Sequence, residues 1–90
     1  MHVKFFATYR DITGLKRMEA PAQPDVLALL AYLSERWPAF RPLLLNETGD
    51  KIGDDAIVIV NGRHVDHLAF ERTPLADDDT VALTPLVAGG

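Results

Sequence analysis

Residues 56–65 read AIVIVNGRHV, and they set the frame for the rest of the chain. Ala56 to Val60 is a dense β-branched run, the composition of a strand buried in a sheet. Asn61-Gly62 follows at once. Both central residues of a two-residue type I′ turn need φ > 0, and Asn-Gly is the pair that accepts this most readily. Arg63-His64-Val65 therefore returns antiparallel. Downstream, Asp66 to Ala76 reads as a connection with a short turn. Asp77-Asp78-Asp79 then turns the chain into a strand from Thr80 to Thr84, with Val81 and Leu83 facing one way. Pro85 is expected to stop that strand, leaving 85–90 (PLVAGG) as an extended tail.

Working upstream, Val3 to Tyr9 reads as a strand, with Val3, Phe5 and Ala7 on one face and Lys4, Phe6 and Thr8 on the other. Asp11-Ile12-Thr13-Gly14 is a turn, and Leu15 to Ala20 resumes a more polar strand suited to a sheet edge, so the two make a hairpin. Pro24 suits the first turn of a helix, with Asp25 near its positive end. Val26, Leu29, Leu30, Leu33 and Trp37 then form one apolar stripe, which reads as core packing, and Pro38 ends the helix. Residues 39–55 are the least regular part. Leu43-Leu44-Leu45 suits a short helical turn, and Asn46 to Asp55 has the composition of a loop, so the segment is expected to be variable and mobile.

The order is strand, strand, helix, strand, short strand, strand. That is an α+β fold with a mixed four- to five-stranded sheet and one main helix packed on one face, the other face staying partly open. The arrangement resembles the β-grasp of ubiquitin. Ninety residues fit one domain over 1–90 and leave little room for an enclosed catalytic cavity. The nine Lys and Arg residues are scattered along a chain of net charge −4, which argues against nucleic acid as a partner. The chain has no cysteine, so disulfides, thiolate metal sites and a cysteine nucleophile are excluded. No signal-peptide pattern opens the sequence and no apolar run reaches the ~20 residues of a membrane span, so a cytoplasmic location is expected.

Core building accounts for residues 1–84 and leaves the end over. Two terminal glycines arise by chance about once in 200 at an average usage of ~7%. Glycine has a physical use there: a carboxylate that must reach the α-phosphorus of ATP inside another protein has to thread a narrow channel, which side chains block.

The segments Ile57 to Val65 and Thr73 to Gly90 resemble the MoaD/ThiS family of ubiquitin-like sulfur carriers. Val3-Lys4-Phe5-Phe6-Ala7 with Arg10-Asp11-Ile12-Thr13-Gly14 resembles the MoaD branch. The resemblance implies a thiocarboxylate carrier, acted upon rather than catalytic. A MoeB/ThiF-like activating enzyme, using its own ATP and Mg²⁺, would adenylate the Gly90 carboxylate, and a sulfurtransferase would supply the sulfur. Val87, Ala88 and Gly89 would thread the channel. The client implied is a MoaE-like large subunit of molybdopterin synthase, in molybdenum cofactor biosynthesis. Two features depart from the MoaD pattern: Thr84-Pro85-Leu86 stands where an aromatic and two prolines are common, and His64 where the position tends to be apolar. Carriers for cysteine, methionine or thiamine synthesis remain open, as does a protein modifier joined through Gly90 to lysines.

No cofactor or metal bound by the chain itself is expected. His64 and His67 are three apart, but such a pair alternates faces in a hairpin. Asp77-Asp78-Asp79 lacks the alternating ligands and closing Glu of a calcium loop. For partner binding, Phe6, Val58 and Val60 are expected on the open side of the sheet, with His64, Thr84, Pro85 and Leu86 beside them.

Overall fold

The computed structural model of the protein describes residues 1–86, so Val87, Ala88, Gly89 and Gly90 lie outside the described residues. Five strands form a single sheet: β1 (His2–Phe5), β2 (Arg17–Glu19), β3 (Ala56–Val60), β4 (Arg63–His64) and β5 (Thr80–Pro85). Three α-helical segments accompany them: α1 (Ala7–Thr13), α2 (Val26–Arg36) and α3 (Arg41–Leu44). The strand order is β2-β1-β5-β3-β4. β1 and β5 run parallel at the centre, and every other pair is antiparallel. This is the β-grasp arrangement of ubiquitin.

Strand alternation decides what meets the helix. Val3 and Phe5 of β1, Val58 and Val60 of β3, and Val81 and Leu83 of β5 are buried, as are Val26, Leu29, Leu30 and Leu33 of α2. Burial of a side chain of this size contributes about 1.5–3 kcal/mol relative to leaving it in water. At the start of α2 the Asp25 carboxylate accepts a hydrogen bond from the Ala28 N–H at 2.8 Å, so Asp25 is the N-cap and Pro24 stands outside the helix rather than in its first turn.

The first hairpin differs from its expected form. β1 stops at Phe5, and Ala7, with φ of 52°, turns the chain into α1. The reason is Tyr9: a continued strand would carry its ring past the ends of its neighbours. The helix instead folds it onto Phe40, ring centroids 5.5 Å apart. Gly14 ends α1 in the left-handed conformation and donates to the Arg10 carbonyl at 2.7 Å, a helix cap where a strand turn was expected. β2 pairs antiparallel with β1 at the sheet edge, as expected, over only three residues.

Residues 39–55 are more ordered than their composition suggests. A 3₁₀ turn at Pro38–Phe40 leads into α3, and Phe40, Leu44 and Leu45 are buried. Gly53 then passes directly beneath α3. Its N–H donates to the Leu44 carbonyl at 2.8 Å, and a Cβ at this position would stand 2.6 Å from the Leu43 carbonyl oxygen. Only glycine permits that approach.

At the far end of the sheet, Asn61 and Gly62 have φ of 51° and 85°, as a type I′ turn requires. The Asn61 side chain donates to Asp79 at 2.9 Å and accepts from the Thr80 N–H at 2.9 Å. Asp79 also accepts from the Ala76 N–H, and these bonds, the backbone one first, hold its carboxyl below the usual range. The aspartate run is thus a turn tied to the β3–β4 hairpin. The connection between β4 and β5 holds two 3₁₀ turns, Val65–His67 and Phe70–Arg72.

Candidate functional site

The site is built around the point where β5 releases the chain. β5 runs through Pro85, which pairs with Ala56, so the proline does not stop the strand one residue earlier. It is tolerated because the last parallel pair with β1 is Phe5 with Leu83, so among the described residues no strand lies on that side to demand its missing N–H. The Leu86 N–H then donates to the Asp55 carbonyl at 2.7 Å, the last described anchor before residues 87–90. Asp55 also connects this exit to the core. Burial first, then the negative charge of Asp55, push the Tyr9 phenol up to about 12, so it stays protonated at neutral pH.

The open face beside the exit differs from the expected one. Val58 and Val60 are buried against the helical layer, 0% and 6% exposed. Their neighbours Ile57 and Ile59 face outward instead. The ladder sets this: Ile59 stands opposite both Ala82 and His64, and Ile57 opposite Thr84, while Val58 stands opposite the buried Leu83. Phe6, one residue beyond β1, is 41% exposed and donates its N–H to the Leu83 carbonyl, which places it beside Thr84 on the same face. Of the expected partner surface, Phe6, His64, Thr84 and Leu86 therefore share the open side, with Phe6 at the β1 end and His64 on the β4 edge, beside Leu86. Pro85 is half-buried at its margin.

Sequence reasoning missed Phe70. Its ring is 52% exposed although its backbone sits at φ of 50°, a conformation that costs a bulky residue about 1–2 kcal/mol. With Ile52, Ala56, Ile57, His64 and Leu86 it lines a shallow depression at the tail root. Its carbonyl accepts a bond from the buried Thr73 hydroxyl at 2.7 Å, which helps hold the turn. Nothing in the residue order signals a positive φ at a phenylalanine.

His64 is held by one residue, Asp66: its Nδ1 accepts from the Asp66 N–H at 3.1 Å and lies 3.3 Å from the Asp66 carboxylate. Among the described residues, no three His, Asp or Glu side chains gather as a metal site. No described helix is long and apolar enough to cross a membrane.

The ThiS family model matches residues 3–90. Small archaeal modifier protein 3 of Haloferax volcanii is 30% identical over 92 residues, spanning all of this chain and 98% of the relative. Among solved structures, the Amycolatopsis orientalis BexX/CysO complex holds a chain that superposes with a TM-score of 0.83 at 26% identity, over 99% of this chain and 98% of that one. A putative molybdopterin converting factor subunit 1 from Pyrococcus furiosus gives 0.71 at 28% identity, over 96% and 95%. The chain belongs to the ThiS family, a family of small ubiquitin-like sulfur carriers and modifiers.

Proposed function

We propose that the chain carries sulfur as a thiocarboxylate on Gly90. The observation that supports this most is the pairing of a C-terminal Gly-Gly in the sequence with a central strand that ends at Pro85, beside an anchored Leu86. From Leu86 to Gly90 there are four residues, a reach of roughly 13–14 Å when extended. That is enough to enter a partner's active site while the folded body stays outside.

The chemistry begins with a carboxylate oxygen of Gly90 attacking the α-phosphorus of ATP, which expels pyrophosphate and leaves an acyl-adenylate. A sulfide sulfur then attacks the acyl carbon and AMP leaves with the C–O bond electrons, so one oxygen of the carboxylate is replaced by sulfur. Charge at phosphorus is neutralised by the activating enzyme and its Mg²⁺, not by this chain. The apolar open face and the Phe70 depression dock the activator or the client.

Molybdopterin synthase is the client we favour, on the resemblance of the first strand region and the full-length likeness to the Pyrococcus protein. Cysteine, methionine or thiamine synthesis would use the same thiocarboxylate. A second reading, modification of proteins, has support in the full-length identity with the archaeal modifier. There a lysine amine displaces AMP and forms an isopeptide bond.

Intact mass after incubation with ATP-Mg²⁺, a MoeB/ThiF-type activator and sulfide tests the proposal. A gain of about 16 Da on the chain, oxygen replaced by sulfur at a nucleophile-accepting carbonyl, is expected. No gain with an activator that works on another carrier sinks it. A ladder of conjugates on native lysate, without thiocarboxylate, supports the modifier.

Phe70→Gly separates docking from folding. Relief of the strained φ offsets the lost ring contacts, so stability should change by less than about 1 kcal/mol. The Kd for the activator should rise about tenfold, the loss of one partly buried aromatic anchor. Calorimetry and thermal melts on the same samples check both.

A further inference from the structure

Cations that are scattered in sequence converge on one end of the sheet. Lys4, Arg10, Lys16 and Arg17 line a single groove, together with Phe5 and Phe6, between β1, β2 and α1. All four cations are exposed, and they are four of the nine that the whole chain carries. The chain otherwise has an excess of acid, with 13 Asp and Glu. Among the described residues the ion pairs are His2 with Glu19 and His64 with Asp66, so none of the four cations is matched to a carboxylate. The nearest acids in sequence are Asp11, exposed on α1, and Glu19, already engaged by His2.

The same groove borders a free strand edge. β2 is the outermost strand on its side. Its hydrogen bonds to β1 can be assigned residue by residue. Met1 and Ala20 exchange bonds, and the Phe5 N–H donates to the Lys16 carbonyl. The antiparallel ladder alternates, so Val3 with Met18 is the third bonded pair, while His2 with Glu19 and Lys4 with Arg17 are not bonded. The backbone groups of Arg17 and Glu19 therefore point away from the sheet, available to another strand. Phe6 at 41% and Leu15 at 39% exposure flank this edge with apolar surface.

We propose that this edge is a docking site for an extended acidic segment of a partner protein, added to the sheet as a strand beside β2. Backbone bonds to Arg17 and Glu19 give the register. Acidic side chains on the open face of the added strand meet Arg17, with Lys4 beyond it on β1, and the alternate, apolar ones lie on the other face beside the half-buried Met18. A folded acidic surface could satisfy the charges but not the outward backbone groups. A nucleic acid would satisfy the charges alone. The inference stands apart from the chemistry at Gly90, because it uses no residue beyond the body of the fold.

The test titrates the isotope-labelled full chain with a synthetic peptide of about ten residues alternating glutamate with valine, followed by NMR. Shifts should centre on Lys4, Phe6, Leu15, Arg17 and Glu19, and the amide protons of Arg17 and Glu19 should exchange more slowly in the complex. The double change Lys16→Glu and Arg17→Glu should weaken binding at least tenfold and leave the melting temperature within a degree or two, since both side chains are exposed. Raising the salt concentration should weaken it as well. Equal binding of the same peptide with glutamine in place of glutamate overturns the proposal, as does tighter binding of a single-stranded RNA of equal charge. Shifts without protection of Arg17 and Glu19, or no binding at all, overturn it too.

Discussion

A chain lacking Gly89 and Gly90 should gain no mass in the presence of ATP-Mg²⁺, activator and sulfide, and should melt at the same temperature as the intact chain. The two halves of this result have separate causes. Every buried side chain and ladder pair named above lies within residues 1–86, and the last anchor is the Leu86 N–H on Asp55. Shortening the chain beyond that point removes none of these, so stability should move by no more than about 0.5 kcal/mol, as for a change remote from any structural feature. The chemical loss should be total. Removing two residues leaves the end at Ala88, roughly 7 Å short in an extended chain, and misplacing a reacting atom by even ~1 Å can cost two orders of magnitude. A shortened chain that still docks should then inhibit the activator in competition with the full one. Sulfur transfer that persists without Gly90 would remove the carboxylate from the mechanism altogether.

A finer version distinguishes reach from conformation. Gly89→Ala keeps the length and adds one methyl group where a channel is expected to fit glycine alone. Turnover should fall by one to two orders of magnitude while the Kd of the folded body changes little, because the docking surface proposed above uses the Phe70 depression and the open face rather than the terminal pair.

What the residue order conveys and what it withholds follow from the range of the interactions involved. The Asn61-Gly62 turn is legible because its geometry is set by two adjacent residues. The α2 stripe is legible because five apolar positions at helical spacing have one packing solution. The face of β3 is not legible from Ala56–Val60 alone, since five apolar residues in a row carry no alternation. The information was present, however, across the turn. A two-residue loop pairs Val60 with Arg63 and Ile59 with His64, so a half-exposed His64 places Ile59 and Ile57 outside and Val58 and Val60 inside. α1 was hidden for a different reason. Val3 to Tyr9 alternates acceptably as a strand, and only Phe40, thirty-one residues away from Tyr9, reveals that the ring has to fold back. The basic groove was hidden in the same way: Lys4 and Arg17 are thirteen apart in sequence and opposite each other in the ladder.

Phe40→Ala is expected to cost 3–5 kcal/mol, which is about the range for emptying a buried phenylalanine site. Phe40 is completely buried, and three rings close around it. Phe5 stacks at 5.9 Å, Tyr9 meets it edge-on at 5.5 Å and Trp37 edge-on at 6.0 Å. Those contacts join the centre of the sheet, α1 and the end of α2, so the void cannot be closed by one side chain shifting. A chain of ninety residues has a total stability of roughly 5–13 kcal/mol, and the melting temperature should fall by ~15–30 °C. The consequence reaches the tail. Tyr9, which loses a neighbour, lies near Asp55, and Asp55 anchors Leu86, so local opening should expose the Leu86 amide before the sheet itself unfolds. Hydrogen exchange at Leu86 and Val58 in the variant measures this order. Faster exchange at Leu86 than at Val58 supports a tail root held by the aromatic cluster; equal rates mean that Phe40 stabilises the body alone.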